Sequence, residues 1–251
     1  MKKIIIYSDL GTSPYSVSSI IWSLESLDLG RKYFIEKVTK DYFKLDAWEK
    51  QTALIIFPGG KDVPYHEALQ GEALKKIRLF VENGGKYLGI CAGAYFGCEQ
   101  IEFEKGGPLE VIGKRELCFF PGKAIGPAYG LNKFSYLEES GACIAPLNFA
   151  SKSPSYEAKI YFNGGCLFEL PKENPSIKPI ACYSDLPNQP HAIIQCHIGN
   201  GLALLSGVHP EFSALHEEAK HRMTPSIYNE LLENEKMRSS LFSDLINILL
   251  K

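Results

Sequence analysis

At 251 residues, with 45% apolar and 22% charged side chains, the chain can bury a full core and has the composition of a globular protein. A net charge of −2, with no basic block, gives no footing for nucleic acid or an anionic membrane surface as a partner. The seven cysteines, at 91, 98, 118, 143, 166, 182 and 196, are odd in number and form no disulfide framework, which predicts reduced thiols and a cytoplasmic setting.

The first apolar run, Ile4–Tyr7, stops at Ser8-Asp9. It is too short for a signal-peptide core and reads as a strand, and no later stretch is long and apolar enough to span a bilayer. After the turn-rich Ser8–Pro14, apolar residues at Val17, Ile20, Ile21, Leu24 and Leu27 predict a helix from Ser16 to Leu27. Phe34–Val38 is a second strand, and Ala53–Phe57 is a fully apolar one ending at Pro58-Gly59-Gly60. Leu74, Ile77, Phe80 and Val81 mark a helix face that stops at Asn83-Gly84-Gly85, a left-handed cap signal. Tyr87–Ile90 is the next strand. Alternating helices and all-apolar strands predict a parallel sheet covered on both faces.

From about residue 103 to 206 the texture changes to glycine, proline and aromatics, which predicts an antiparallel extension and pocket wall within one domain spanning 1–251. Asn163-Gly164-Gly165 reads as a hairpin turn between Lys159–Phe162 and Cys166–Phe168. Gly199-Asn-Gly201 reads as another, joining Ala192–Ile198 to Leu202–Ser206. Leu241, Phe242, Leu245, Ile246 and Leu249 form the apolar face of a closing helix.

Chemistry concentrates at Gly89-Ile-Cys-Ala-Gly93. An apolar strand ending at a cysteine among small residues predicts a tight strand–turn–helix corner with the thiol held at the corner. The Ala92 N–H and a helix N-terminus beside Cys91 would stabilise a thiolate and a developing oxyanion. The plainer reading is a small core cysteine. A nucleophile needs a base, and Gly207-Val-His-Pro-Glu-Phe212 supplies His209. Pro210 disfavours helical geometry at His209, so His209-Pro210-Glu211 is expected to be extended, which would put Glu211 on the same side as the ring to orient it. The alternative is a surface turn. Gly60 is the second expected oxyanion donor, beside Gly59.

Other motifs fall away. His216 and His221 are five apart, about 140° around a helix, and so are expected to be solvated rather than to share a zinc ion. With no Cys-x-x-Cys pair, no metal site is expected. Gly60-Lys61 lacks the frame of a phosphate loop. Cys196 and His197 are expected to pack in a strand, and Cys98 to share a helix with Cys91, as a core residue or a resolving thiol.

Together the Gly-x-Cys-x-Gly elbow and the late His-Pro-Glu resemble the class I glutamine amidotransferase-like superfamily. Seven motifs occur in order: Gly11–Pro14, Phe57–Gly60 with Asp62–Tyr65, Gly93–Gly97, Phe119–Gly122, Gly126–Tyr129, Tyr161–Gly165 and Gly207–Phe212. This series is similar to the N-terminal domain of eukaryotic-type biotin–protein ligases, which also occurs free-standing. The resemblance implies a three-layer, flavodoxin-like α/β sandwich and a Cys91-His209-Glu211 triad in a hydrolase or amidotransferase-like enzyme acting on a small amide or carbonyl substrate without a cofactor. A protein partner in biotin or amide metabolism is a further expectation. Biotinylation is not implied, because the ligases' Gly-Arg-Gly-Arg loop has no counterpart and the only Gly-Arg pair is Gly30-Arg31. Amidotransferases carry glutamine four residues after the nucleophile, where this chain has Tyr95. Gly59, Tyr95, Tyr129 and Asn163 are therefore candidate walls of a pocket for another substrate. A binding module that keeps the elbow as scaffold, and a redox-sensing Cys91, remain alternatives.

Overall fold

The computed structural model describes residues 1–136, 139–149, 157–170 and 174–251. Strand β1 (Lys3–Tyr7) leads through α1 (Pro14–Ser26) to β2 (Phe34–Val38), then through the short α2 (Trp48–Gln51) to β3 (Thr52–Phe57). Helices α3 (Asp62–Leu69) and α4 (Glu72–Glu82) precede β4 (Lys86–Ile90). Pro14 opens α1 with its φ already suited to a helix, and Ser13 accepts the Ser16 N–H. Helix α4 ends as expected. Gly84 has φ +106°, and the N–H groups of Gly84 and Gly85 return to the carbonyls of Val81 and Phe80, which closes a Schellman motif.

A five-residue helix α5 (Ala92–Phe96) is followed by β5 (Cys98–Phe103), β6 (Val111–Lys114), β7 (Phe120–Gly126), β8 (Cys143–Phe149), β9 (Glu157–Phe162), β10 (Leu167–Glu169), β11 (Ile177–Tyr183), β12 (His191–Ile198) and β13 (Gly201–Ser206). The chain closes with α6 (Ala219–Arg222), α7 (Pro225–Glu233) and α8 (Glu235–Leu250). One sheet runs through these strands in the order β2-β1-β3-β4-β13-β12-β10-β7-β5-β6, with β11, β8 and β9 branching from β12. From β2 to β13 all neighbours are parallel. Beyond β13 the pairing is antiparallel except between β5 and β7.

The all-apolar strands are explained by burial on both faces. Successive side chains of β1 alternate, so Ile5 and Tyr7 join α4 and Trp48 on one side, while Ile4 and Ile6 meet α1 and α8 on the other. The result is the expected three-layer α/β sandwich with an antiparallel extension. Among the described residues no helix is long and apolar enough to cross a membrane.

Three local expectations are corrected. Asn163-Gly164-Gly165 is not a hairpin: β9 pairs with β8, whereas β10 pairs with β7 and β12. The glycines let the chain change neighbours, because a Cβ on Gly165 would come 1.7 Å from the Gly207 carbonyl oxygen. Cys98 does not share a helix with Cys91, since α5 stops at Phe96 and Cys98 opens β5. His197 does not pack. Period-two alternation buries Cys196 and turns His197 outward, where it bonds Gln195. The Gly199–Gly201 turn does join β12 to β13 as an antiparallel hairpin.

Helix α8 covers one face through Leu241, Phe242, Leu245, Ile246 and Leu249, all nearly solvent-free. Leu245→Ala should therefore lower stability by about 2–4 kcal/mol, from lost burial plus a residual cavity. Leu232→Ala, at a side chain 41% exposed, should change it by less than about 1 kcal/mol. Urea unfolding of both variants checks this.

Candidate active site

The sequence-selected residues other than Tyr129 gather, with residues the sequence did not single out, at the C-terminal edge of the parallel strands, where sheets of this order place ligands. Ser13 and Ser16 follow β1, Gly59 and Gly60 follow β3, Cys91 follows β4 and His209 follows β13. Cys91 sits at the corner between β4 and α5 with φ +50° and ψ −105°, a conformation that costs a non-glycine residue about 1–3 kcal/mol. Its neighbours make the corner possible. A Cβ on Gly89 would meet the Gly93 carbonyl oxygen at 2.3 Å, and one on Gly93 would meet that of Phe57 at 2.0 Å. The Cys91 N–H bonds the Ser206 carbonyl, which ties the corner to β13.

His209 lies beside the corner, 5% exposed, with Nδ1 2.8 Å from Glu211 Oε1. The expected extended geometry is not found. Phe212 N–H closes a turn onto the His209 carbonyl, with Pro210 and Glu211 at its centre. The turn is buried rather than superficial, and it curls the carboxylate back onto the ring. Glu211 has no solvent exposure, and its Oε1 also accepts the Ser16 hydroxyl at 2.9 Å. Ser16 Oγ in turn accepts the Gly59 N–H, and Ser23 donates to the Glu211 carbonyl. Arg238, on α8, donates to the Pro210 carbonyl and pairs with Glu235, whose carboxylate holds Ser213 and the Ala214 N–H.

Sequence reasoning missed Ser16, Ser23 and Arg238. The legible signal was Ser16, Ser19 and Ser23 falling at helical spacing on the buried side of α1, where polar residues need partners.

Burial alone would lower the His209 pKa, but the Glu211 carboxylate and the neighbouring Cys91 side chain outweigh it and raise the pKa to about 10. The Cys91 thiol points at the Asn163 carbonyl, 3.7 Å away. Among the described residues neither the Gly60 nor the Ala92 N–H has a hydrogen-bond partner, whereas the Gly59 N–H is occupied by Ser16.

Cys91, Ala92, Gly59, Gly60, Tyr95, Asn163 and His209 line one cavity of about 470 Å³, together with Asp62, Tyr136, Tyr161, Glu139 and Arg222. Glu211 stands behind His209. Tyr129 stands outside the cavity: it packs on Phe162 and Tyr183, and its hydroxyl donates to Asp185. The Tyr95 hydroxyl donates to the Gly164 carbonyl, so this phenol braces the pocket wall. His221 is exposed at the mouth, but His216 is buried against Tyr15 and Trp22, contrary to the expectation that both are solvated. Among the described residues no group of three His, Cys, Asp or Glu side chains converges as a metal site.

A histidine whose pKa is raised in the folded state stabilises the fold fully below its unfolded value, near 6.5, and loses that contribution as pH rises toward about 10. The stability difference between the native protein and His209→Gln should therefore shrink across that window. Urea midpoints of both proteins at a series of pH values check the sign.

The family described as biotin-protein ligase, N terminal, matches residues 2–250. An uncharacterized protein of Chlamydia muridarum is 38% identical across 98% of this chain and 96% of its own length. The biotin–protein ligase of Schizosaccharomyces pombe is 37% identical across 72% of this chain, which spans only 29% of that ligase. Among solved structures, a cytoplasmic protein of Salmonella typhimurium LT2 superposes over both full chains with a TM-score of 0.51 at 11% identity. An exo-beta-1,4-mannosidase from an Opitutaceae bacterium gives 0.51 at 13% identity, over 97% of this chain and 36% of the mannosidase. At these identities the two structures speak to the fold alone. The sequence match over nearly the whole length does more: the chain belongs to the biotin-protein ligase N-terminal family.

Proposed function

We propose that the chain is a cysteine-dependent hydrolase or amidotransferase-like enzyme that cleaves a small amide or related carbonyl compound through a Cys91 thioester. The observation that carries the reading is the strained Cys91 corner opening into the same cavity as a His209 ring backed by a solvent-free Glu211. Strain at a non-glycine residue persists only where the surroundings impose it, and here Gly89, Gly93 and Ser206 do so.

A charged His209 cannot accept the thiol's proton. The attacking form is therefore the thiolate–imidazolium pair. The sulfur adds to the carbonyl carbon, and the developing oxyanion takes the free Gly60 and Ala92 N–H groups. The C–N bond then breaks, and His209 gives its proton to the departing amine. Neutral His209 next takes a proton from water, which attacks the thioester and releases the acid and the thiolate. Glu211 holds the ring's tautomer and balances its charge throughout. Glutamine is a poor fit as substrate, because Tyr95 occupies the place of the usual reader and its hydroxyl is engaged with Gly164. Biotin activation is outside the reading, since the sequence carries no Gly-Arg-Gly-Arg type loop.

A second reading, a regulatory or binding module in biotin metabolism, draws on one observation. In the resting site the thiol also addresses the Asn163 carbonyl, 3.7 Å away, so it is not committed to the imidazole alone.

Alkylation of Cys91 by iodoacetamide, followed by peptide mass spectrometry from pH 5 to 10, separates the two. The enzyme reading expects Cys91 to react at least about tenfold faster than the other cysteines at pH 6, and expects His209→Asn to remove that advantage. An ordinary thiol titration at Cys91, unchanged by His209→Asn, would favour the module.

A further inference from the structure

The cavity beside Cys91 holds a second built feature that the hydrolytic steps do not use. Asp62 lines it at the start of α3, two residues beyond Gly60. The Arg115 guanidinium, itself 7% exposed, donates from both Nε and a terminal nitrogen to one carboxylate oxygen, Oδ2, at 2.8 and 2.6 Å. Among the described residues Oδ1 receives no hydrogen bond from another residue, yet the side chain is only 13% exposed. Burial raises the Asp62 pKa despite Arg115, a hydrogen bond from the residue's own backbone and the more distant His66, so the carboxylate stays incompletely compensated.

The facing wall is aromatic. Tyr95, Phe103, Phe134 and Tyr136 follow one another edge to face, with centroids 5.8, 5.4 and 4.8 Å apart, and all four line the cavity. Rings beside an open carboxylate suit an organic cation, through their negative faces. The chain's own Lys61 ammonium lies 4.3 Å from the Tyr136 centroid, so this ring already receives a cation.

We propose that the cavity selects substrates bearing a positively charged amino group, which Asp62 Oδ1 pairs and the Tyr95–Tyr136 wall covers. This rests on Cys91 being the reactive thiol. The competing charges are weaker. The Lys61 ammonium rests on Tyr136 but does not line the cavity, His209 is matched by Glu211, and Arg222, 48% exposed at the mouth, is already paired with Glu218 and is screened by solvent. An anionic substrate would have to rely on Arg222 and would approach the open oxygen of Asp62 unfavourably.

Methanethiosulfonates carrying a trimethylammonium, a neutral or a sulfonate group test this at Cys91 itself. The thiolate attacks the divalent sulfur, an S–S bond forms and methanesulfinate leaves. Cys182, partly exposed, in contact with His191 and with its pKa raised by burial alone, serves as the internal reference. The cation-to-anion rate ratio at Cys91 should exceed that at Cys182 by about tenfold, as one poorly screened charge implies. Asp62→Asn should bring it close to the Cys182 value. A Cys91 ratio at or below the reference, or one unchanged by Asp62→Asn, overturns the proposal while leaving the thiol chemistry intact. Failure of even the neutral reagent to reach Cys91 overturns both readings. Should Asp62→Asn not fold, Asp62→Asn with Arg115→Gln removes the pair together, and the native ratio alone still decides.

Discussion

A carboxylate with no solvent exposure has to find its compensation inside the protein, and Glu211 finds it at one oxygen, Oε1, in His209 and Ser16, while among the described residues Oε2 has no hydrogen-bond partner. That requirement joins parts of the chain nearly two hundred residues apart. Ser16 fixes α1 against the site and holds the Gly59 N–H at the end of β3. Arg238 and Ser23 take up the carbonyls on either side, so α8 and α1 clasp the turn that carries the pair. The imidazole is thereby held beside Cys91 and biased toward its charged form. Removing the carboxylate would leave a buried ring and a buried hydroxyl without their partner, a larger loss than any single contact suggests.

The corner at Cys91 is the other side of the same construction. Its backbone conformation is unfavourable on its own, and it is stabilised by close packing of glycine against backbone on both flanks. Such a corner projects the sulfur from the end of the sheet into the cavity and leaves the Ala92 N–H unpaired next to it. Asp62 and the aromatic wall line the same cavity. The division is between an end that matches acyl-transfer chemistry and an end whose chemistry would decide which molecule is brought to it. A fold that places four strand ends together supplies both without a separate domain for the substrate.

Much of this was legible in the sequence for a simple reason: local patterns report on local geometry. All-apolar Ile4–Tyr7 and Ala53–Phe57 required burial on two faces, and the Gly-x-Cys-x-Gly spacing required a corner too tight for side chains. The antiparallel extension was legible as texture but not as pairing. Asn163–Gly165 carries a hairpin's residues, yet its glycines serve a close approach to Gly207 across the sheet. His-Pro-Glu was read as extended from the restriction proline places on its predecessor, and the restriction does not reach Glu211, which sits in the turn. Arg238 and the Asp62–Arg115 pair were invisible because each matters through a residue distant in sequence, whereas Ser16 was legible as a polar position on the buried side of α1 but not as the partner of Glu211. Tyr129 belongs to an ordered motif with the site residues, and it serves packing near Asp185.

The central claim is that Cys91 becomes acylated, and the most direct measurement is the mass of the intact protein during reaction with p-nitrophenyl acetate, followed by peptide mapping. The account predicts one acetyl group on Cys91 that forms quickly and then decays as the thioester hydrolyses, and its loss in Cys91→Ser. Acetylation confined to surface lysines, or no faster at Cys91 than at Cys118 or Cys182, would contradict it.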